Sequence, residues 1–494
     1  QGSLDIAPEH GTNQFTLQEN SEQNQKRLAH PLLYEKTGPA VLVEFDGLDD
    51  PDRPTNWPFR KKLSTTILFG LSTCWAMFAS TTYSAAITQI ENAFQVNSEV
   101  SNAGVSLVMF GFAFGPMLWG PLSEVYGRKW TTVIPYFLAA VFCFATAVAK
   151  DIQTVLITRF FTGFFASAPV TNAGGAVADI WPPQLLSNAL VSYSVTLVIG
   201  PTLGPIVGGA VTSSYLGWRW TEYLAGIALI STAILDVFFI EESYAPTLLS
   251  YKASRLRHEG GNYALHAKHE EWDPSLRELG TKYLVRPFQM LGTPICFLIC
   301  IYSAFLYGEC DRHVVSLCPS SHPHSFFPGI FYGNLEGFAI EFEEIRGWGP
   351  IVSKLPFLAM LVGICFAAAV NVWNNGYYMK TFKANGNKGV PEARLPPMMM
   401  GSVAFAGGLF AALNYLIDTF TKYSASAIAA NTFLRSVFAG AFPLFVTPMY
   451  RKLGIDWGST LFACIAAVLI PVPFLFFKFG SRIRVAGRWS NQTF

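Results

Sequence analysis

Three groups of residues in this chain have types and spacing suited to chemistry. The first lies in "YGECDRHVVSLCPSSHPHSFFPGIFYG" (307–333), which sets Cys310, His313, Cys318, His322 and His324 within about fifteen residues. Thiols and imidazoles at such spacing are the ligands of small zinc sites. The second is one charge inside apolar sequence, Arg159 in "LITRFFTGFFASAP" (156–169). An arginine at membrane depth costs several kcal/mol unless it is paired or hydrated, so its presence there points to function. The third is Glu336 in "YGNLEGFAIEF" (332–342). A carboxylate in a low-dielectric cavity can hold a proton and a cationic substrate in alternation. Asn172, Asn431 and Arg435 are further polar candidates to line a cavity, with Tyr83, Trp75 and Phe112 as aromatic ones. No hydrolytic or redox constellation and no Walker loop is present, so the expectation is neither an enzyme nor a direct user of ATP, with no cofactor.

The elements that must position these residues are apolar runs. Of 494 residues, 51% are hydrophobic and 14% charged, and Phe alone accounts for 42. Soluble proteins carry about 25% charged residues, so this is the balance of a polytopic membrane protein. The net charge of +1 predicts no nucleic-acid partner. Of the eight cysteines, six lie in or beside apolar runs, which argues against a disulfide framework. Runs long enough to cross a hydrocarbon core of roughly 30 Å fall near 64–90, 101–122, 130–149, 154–178, 187–211 and 219–240. After a polar stretch they resume near 294–308 with 330–342, then 352–373, 398–420, 424–448 and 457–477. Arg60, Lys61 and Lys62 precede the first run, Arg128 and Lys129 follow the second, and the long middle loop and 380–394 are basic. Positive charge marks the cytoplasmic side, so the N-terminus is placed inside. The division is a disordered cytoplasmic tail (1–56), a six-helix half (57–241), a cytoplasmic middle loop (242–292), a second helical half (293–478) and a cytoplasmic tail (479–494). Two helical halves with a site between them near the midplane is an architecture of secondary transporters.

Several motifs carry a resemblance. "GPLSEVYGRK" (120–129) resembles the signature loop of the major facilitator superfamily. Gly120 and Gly127 permit a tight turn, and Glu124 and Arg128 can form a charge latch, with Asp179 able to accept Arg128. "GPTLGPIVGG" (200–209) resembles the fifth-span string of the antiporter branch. Gly200, Gly204, Gly208 and Gly209 let helices approach closely, and Pro201 and Pro205 free carbonyls and bend the helix, which suits a hinge. "TNAGGAVADIWPP", "GWRWTEY", "ESYAPTLL", "FEEIRGW", "PEARLPP", "NYLIDTF" and "NTFLRSVFAGAFPLF" look like the fungal drug:proton antiporters with twelve spans. The likeness covers roughly residues 50 to 485.

The resemblance implies an all-α membrane fold of two six-helix halves and proton-coupled export of amphiphilic small molecules (drugs, toxins, secondary metabolites or polyamines). It implies protons and a small-molecule substrate as partners, a monomer in the lipid bilayer of the plasma membrane, and Arg159 and Glu336 as the coupling residues. Uptake by the same fold is the alternative. So is a non-functional product, because the chain departs from the family pattern twice. Residues 309–329 interrupt what is otherwise one continuous span. They read either as a translated short intron, since the codons for Gly308–Cys310 and Ser325–Gly329 permit splice signals, or as a zinc loop without a second ligand pair at finger spacing. And 398–420 reads as the start of span nine joined at 410/411 to the end of span ten, which leaves the second half about one span short.

Overall fold

The computed structural model describes residues 41–47, 49–271, 285–294, 296–301, 347–349 and 351–384, then 427, 429–441, scattered positions from 444 to 464, and 471–486. Glu336, the 309–329 insert with its Cys and His residues, and the 410/411 junction lie outside the described residues.

The apolar runs become helices. In chain order the elements are β1 (Val41–Leu42), α1 (Phe59–Thr82), a 3₁₀ turn (Tyr83–Ala86), α2 (Ile87–Phe94), α3 (Ser98–Tyr126), α4 (Arg128–Ala147), α5 (Ile152–Ile180), α6 (Pro183–Thr212) and α7 (Arg219–Phe239). They continue with α8 (Ala245–Gly260), β2 (Leu265–His266), α9 (Arg286–Leu291), α10 (Pro356–Ala384) and α11 (Pro471–Ala486). Among the described residues, five helical stretches are long and apolar enough to cross a membrane: Phe59–Phe94, Ser98–Tyr126, Arg128–Ala147, Asn188–Thr212 and Arg219–Phe239. The helix left out of that set within the first half is α5, which carries Arg159 in its interior.

Helix ends follow local chemistry. Asp151 caps α5 by accepting from the amide of Thr154 at 2.8 Å and from its hydroxyl, and these bonds, stronger to the ionised form, hold this exposed carboxyl below the usual range. Gln95 ends α2 in the left-handed conformation, φ 52°. Within α7 the inward face reads Glu222, Ala225, Leu229, Thr232 and Asp236, all buried, while Ile227, Ile234 and Phe238 are exposed on the other side. Spacing of three and four residues sorts the helix into a protein face and a lipid face; the two acids lie on the protein face.

In the first half α3 packs most extensively on α5 and α1 on α6, with α4 against α5 and α7. Glycines set the closeness of the first two contacts. A Cβ on Gly111 would meet the amide of Phe164 at 2.5 Å, and one on Gly208 would meet the carbonyl of Thr82 at 2.7 Å. Small residues of this kind let backbones touch where helix association gains little from the hydrophobic effect.

The chain clusters into two compact units, 45–248 with 273–494, and 1–44 with 249–272. In the smaller one β1 and β2 pair in parallel, Val41 with Leu265 and Leu42 with His266. Val43, Ala253 and Ala267 bury against one another there, and Arg257 binds Glu270 at 2.8 Å. The described parts of the tail, 41–47 and 49–56, are thus ordered rather than disordered: they hold β1 and a 3₁₀ turn at Pro54–Asn56. Their polarity concealed the pairing, because a two-residue strand has no periodicity to read. The middle loop likewise contains a helix, α8.

Candidate functional site

Arg159 is fully buried on α5. Its guanidinium is held from three sides. Nη1 donates to the carbonyl of Ala79 at 2.8 Å, Nη2 to that of Ser80 at 2.9 Å, and Nε to that of Gly104 on α3 at 3.3 Å. The first two acceptors sit in the last turn of α1, where a helix leaves carbonyls without intrahelical donors and carries the negative end of its dipole. The change from α to 3₁₀ geometry at Tyr83 creates that end inside the protein. The Tyr83 ring lies 4.6 Å from the guanidinium carbon, a cation–π contact. Tyr83 in turn donates its hydroxyl to the carbonyl of Ser101 at 3.2 Å. Gly104 makes room for this ring: a Cβ there would stand 2.5 Å from the phenol.

The acid partner of Arg159 is Glu222 on α7. Its Oε1 lies 3.2 Å from Nη1, and the two side chains are 0% and 1% exposed. Glu222 Oε2 is buried with no hydrogen-bond partner among the described residues. One helix face further along, Asp236 accepts from Ser72 on α1 at 2.6 Å through Oδ2, while its Oδ1 is also without a partner among the described residues. Next to it the hydroxyls of Tyr136 and Thr232 share a hydrogen bond of 2.9 Å.

A second cluster gathers at the α3–α4 turn, on the side that the basic residues assign to the cytoplasm. Gly127 takes φ 90° and ψ 170°, a region that only glycine enters readily. The turn aims Arg128 at α5, where its Nε binds Asp179 Oδ2 at 3.1 Å and its Nη1 donates to Ser123 Oγ at 2.6 Å. The guanidinium lies 5.0 Å from the Tyr244 ring. Glu242 completes the cluster. It accepts from the backbone amides of Arg128 (2.8 Å) and Lys129 (3.1 Å) at the start of α4, and of Ser243 (3.0 Å) and Tyr244 (2.9 Å). A carboxylate at that place satisfies the orphan donors and the dipole of α4 together. Glu124 contributes to the negative field at Asp179, alongside Glu242. Gly120 has ordinary space around it, with Thr171 Cγ2 at 3.6 Å from a Cβ.

The 200–209 string packs on α1. A Cβ on Gly200 would overlap the carbonyl of Cys74, and one on Gly204 would overlap Thr81 Oγ1. Pro205 has no N–H, so the carbonyl of Pro201, four residues back, loses its helical donor. Thr81 Oγ1 supplies the replacement at 3.1 Å. Gly209 ends the string near the last turn, where its carbonyl accepts from Ser213.

The remaining candidates separate. Asn172 is buried and donates to the carbonyl of Thr131 (3.3 Å) and to Thr132 Oγ1 (3.1 Å), joining α5 to α4. Asn431 and Arg435 are buried on the helical segment 429–441. That segment approaches α3, with a Cβ on Gly440 placed 3.1 Å from the carbonyl of Ser106, and the Phe433 and Phe114 rings 5.9 Å apart. Asn431 has no hydrogen bond from either amide atom among the described residues. Phe112 is buried in the core and Trp75 packs on Phe78. Between the halves, Asn375 on α10 donates to Asn188 on α6 at 3.0 Å. Sequence reading missed Glu222, Asp236, Glu242, Asn188 and Asn375. The rule that selected Arg159, an ionisable group inside an apolar run, also selects Glu222 and Asp236.

The family profile described as the Major Facilitator Superfamily matches residues 69–487. The chain is 52% identical over 482 residues to the efflux pump bik6 of Gibberella fujikuroi, covering 91% of this chain and 95% of that one. It is 36% identical over 479 residues to the Major facilitator superfamily multidrug transporter FLU1 of Candida albicans, covering 90% of this chain and 75% of that one. The fold is similar to that of a solved peptide transporter POT in complex with sulfate, with a TM-score of 0.53 at 12% identity, over 91% of this chain and 98% of that one. A profile that spans both halves, a relative 52% identical over 95% of its length and a shared helical architecture agree: this chain belongs to the Major Facilitator Superfamily and is a multi-pass membrane transporter of all-α fold.

Proposed function

We propose that this transporter exports amphiphilic small molecules from the cytoplasm across the plasma membrane, as a monomer, in exchange for protons. The outward direction is supported by the relatives named as an efflux pump and a multidrug transporter. The observation that carries coupling is the buried ion pair of Arg159 and Glu222. A buried pair adds little stability over apolar residues of the same size, so a role in the transport cycle accounts for it better than packing does. In this reading Arg159 sets the field at the coupling site, with Glu336 as the second coupling acid. Arg128, Asp179 and Glu124 with the turn at Gly120 and Gly127 form the cytoplasmic latch, and the 200–209 string is the hinge.

The test is efflux of ethidium, an amphiphilic cationic dye, from yeast lacking its own dye pumps. Expression of this chain should speed dye loss, and a protonophore should abolish the gain. Faster accumulation would favour uptake, and a gain that survives the protonophore would remove proton coupling. The interruption at 309–329 favours a second reading, a product that does not transport as written. A variant with 309–329 deleted, run beside the full chain, separates the two: transport by the deletion alone supports the second.

A further inference from the structure

We infer that Glu222 carries the coupled proton, with Arg159 fixed throughout. The inference rests on the proton-coupled reading above and assigns the carrier within it. Two features of the geometry lead to it. First, the guanidinium does not depend on the carboxylate for its position. Four of its N–H contacts are satisfied, three by backbone carbonyls of Ala79, Ser80 and Gly104 and one by Glu222. The carbonyls and the Tyr83 ring retain the cation when the carboxylate is neutralised. Second, half of the carboxylate's accepting capacity is unused. Oε2 is buried and has no hydrogen bond among the described residues, an open place for a proton on a group otherwise sealed in protein.

Among the described residues, the groups facing Glu222 are few. Arg159 comes from α5, Tyr83 from the turn after α1, and Cys143 from α4. The site's contact with α3 is the carbonyl of Gly104, and Glu91 of α2 lies within electrostatic reach of Tyr83. Among the described residues Arg159 is the charged group paired with the carboxylate, so proton exchange changes one pair of charges. In the step itself, Oε2 takes a proton from outer water and becomes a neutral acid, and the pair passes from zero to one positive charge. When the site opens inward the O–H bond breaks, the proton passes to cytoplasmic water and the carboxylate is restored. Arg159 keeps its proton in both states. Asp236 lies fourteen residues on along α7 and is anchored to Ser72, which makes it the internal control.

The test uses the full chain in lipid nanodiscs for infrared spectroscopy, and in vesicles for ethidium transport. Infrared difference spectra across pH should contain a carboxylic-acid C=O band that disappears in Glu222→Gln and persists in Asp236→Asn. Glu222→Gln should also slow pH-gradient-driven ethidium transport by at least about tenfold and remove its dependence on the gradient, while ethidium binding by fluorescence is retained. Gradient-dependent transport in Glu222→Gln, or an unchanged titrating band, overturns the assignment. If Glu222→Gln does not yield a monodisperse protein, Glu222→Asp decides: a shifted midpoint of the band supports the inference and an unshifted one defeats it. Failure of the proton-coupled reading shows separately, as wild-type transport that ignores the gradient; the infrared band then still reports whether Glu222 takes a proton.

Discussion

Gly204→Ala tests the reasoning about α1 and α6 most sharply. The added methyl would overlap Thr81 Oγ1 and stand 3.0 Å from the amide of Thr82. The hydroxyl is the softer neighbour and must rotate away. In doing so it gives up its 3.1 Å bond to the carbonyl of Pro201, which Pro205 has already deprived of a helical donor. Overpacking a tight contact costs about 1–3 kcal/mol, and a buried acceptor left unpaired costs about 1–3 kcal/mol, so the loss expected is about 2–6 kcal/mol. Thr81→Ala alone should lose only the second of these. The double variant counts that loss once and also relieves the overlap with Oγ1. Its loss should fall short of the sum of the single losses by about 1–3 kcal/mol for the acceptor, and by up to about 1–3 kcal/mol more for the relieved overlap. The measurement is denaturant unfolding of the purified protein in mixed micelles, followed by tryptophan fluorescence, with midpoints for all four chains. Additive losses would refute the account of Thr81, and a Gly204→Ala chain as stable as the wild type would refute the close approach itself.

Other consequences follow from the same geometry. Gly127→Ala forces a side chain into backbone space reserved for glycine and into the Glu242 carboxylate; a stability loss of about 2–4 kcal/mol should appear as a lower unfolding midpoint, and an unchanged midpoint would contradict the strained turn. Asn188→Cys combined with Asn375→Cys replaces the 3.0 Å amide bond between the halves; mild oxidation should cross-link the pair and stop ethidium efflux, reduction should restore it, and full activity while cross-linked would show that this contact does not open. His266, outside the membrane, binds Glu271 at 2.7 Å, and that bond raises its pKa above the ordinary 6.5. The contribution to β1–β2 pairing is therefore complete below the ordinary histidine pKa and lost as pH rises through the raised value. Amide exchange at Val43, which donates to the carbonyl of His266 at 2.9 Å, should speed up over that window beyond the intrinsic rate, and Glu271→Gln should abolish the extra pH dependence.

Much of the fold was legible because the bilayer imposes a long, simple pattern. Each span needs about twenty apolar residues, and the six runs before the middle loop emerge as helical segments within a few residues of where hydropathy places them. Short polar elements were not legible: β1 and β2 are two residues each, and α8 lies in a basic loop whose mean character is that of a linker. The site was half legible. Arg159 stood out because a charge inside an apolar run is costly to bury unless the protein pairs it and puts it to use.

The sequence by itself determined the membrane class, the two-half plan, the family motifs and the identity of the buried cation. Only the tertiary structure decided what holds that cation. Its partners come from three separate places in the chain, two carbonyls of α1, one of α3 and a carboxylate of α7. A carbonyl is the same in every residue, so no letter in the sequence says that those of Ala79 and Ser80 will be left open at an internal helix end. Glu222 could be noticed as an acid in an apolar run, yet its pairing with a residue sixty-three positions away, and the oxygen it leaves without a partner among the described residues, exist only once α5 and α7 are packed. The same holds at the latch, where Glu242 caps a helix that begins 114 residues earlier. Composition and periodicity act along the chain; the electrostatics of a buried site depend on distances across it, which packing alone fixes.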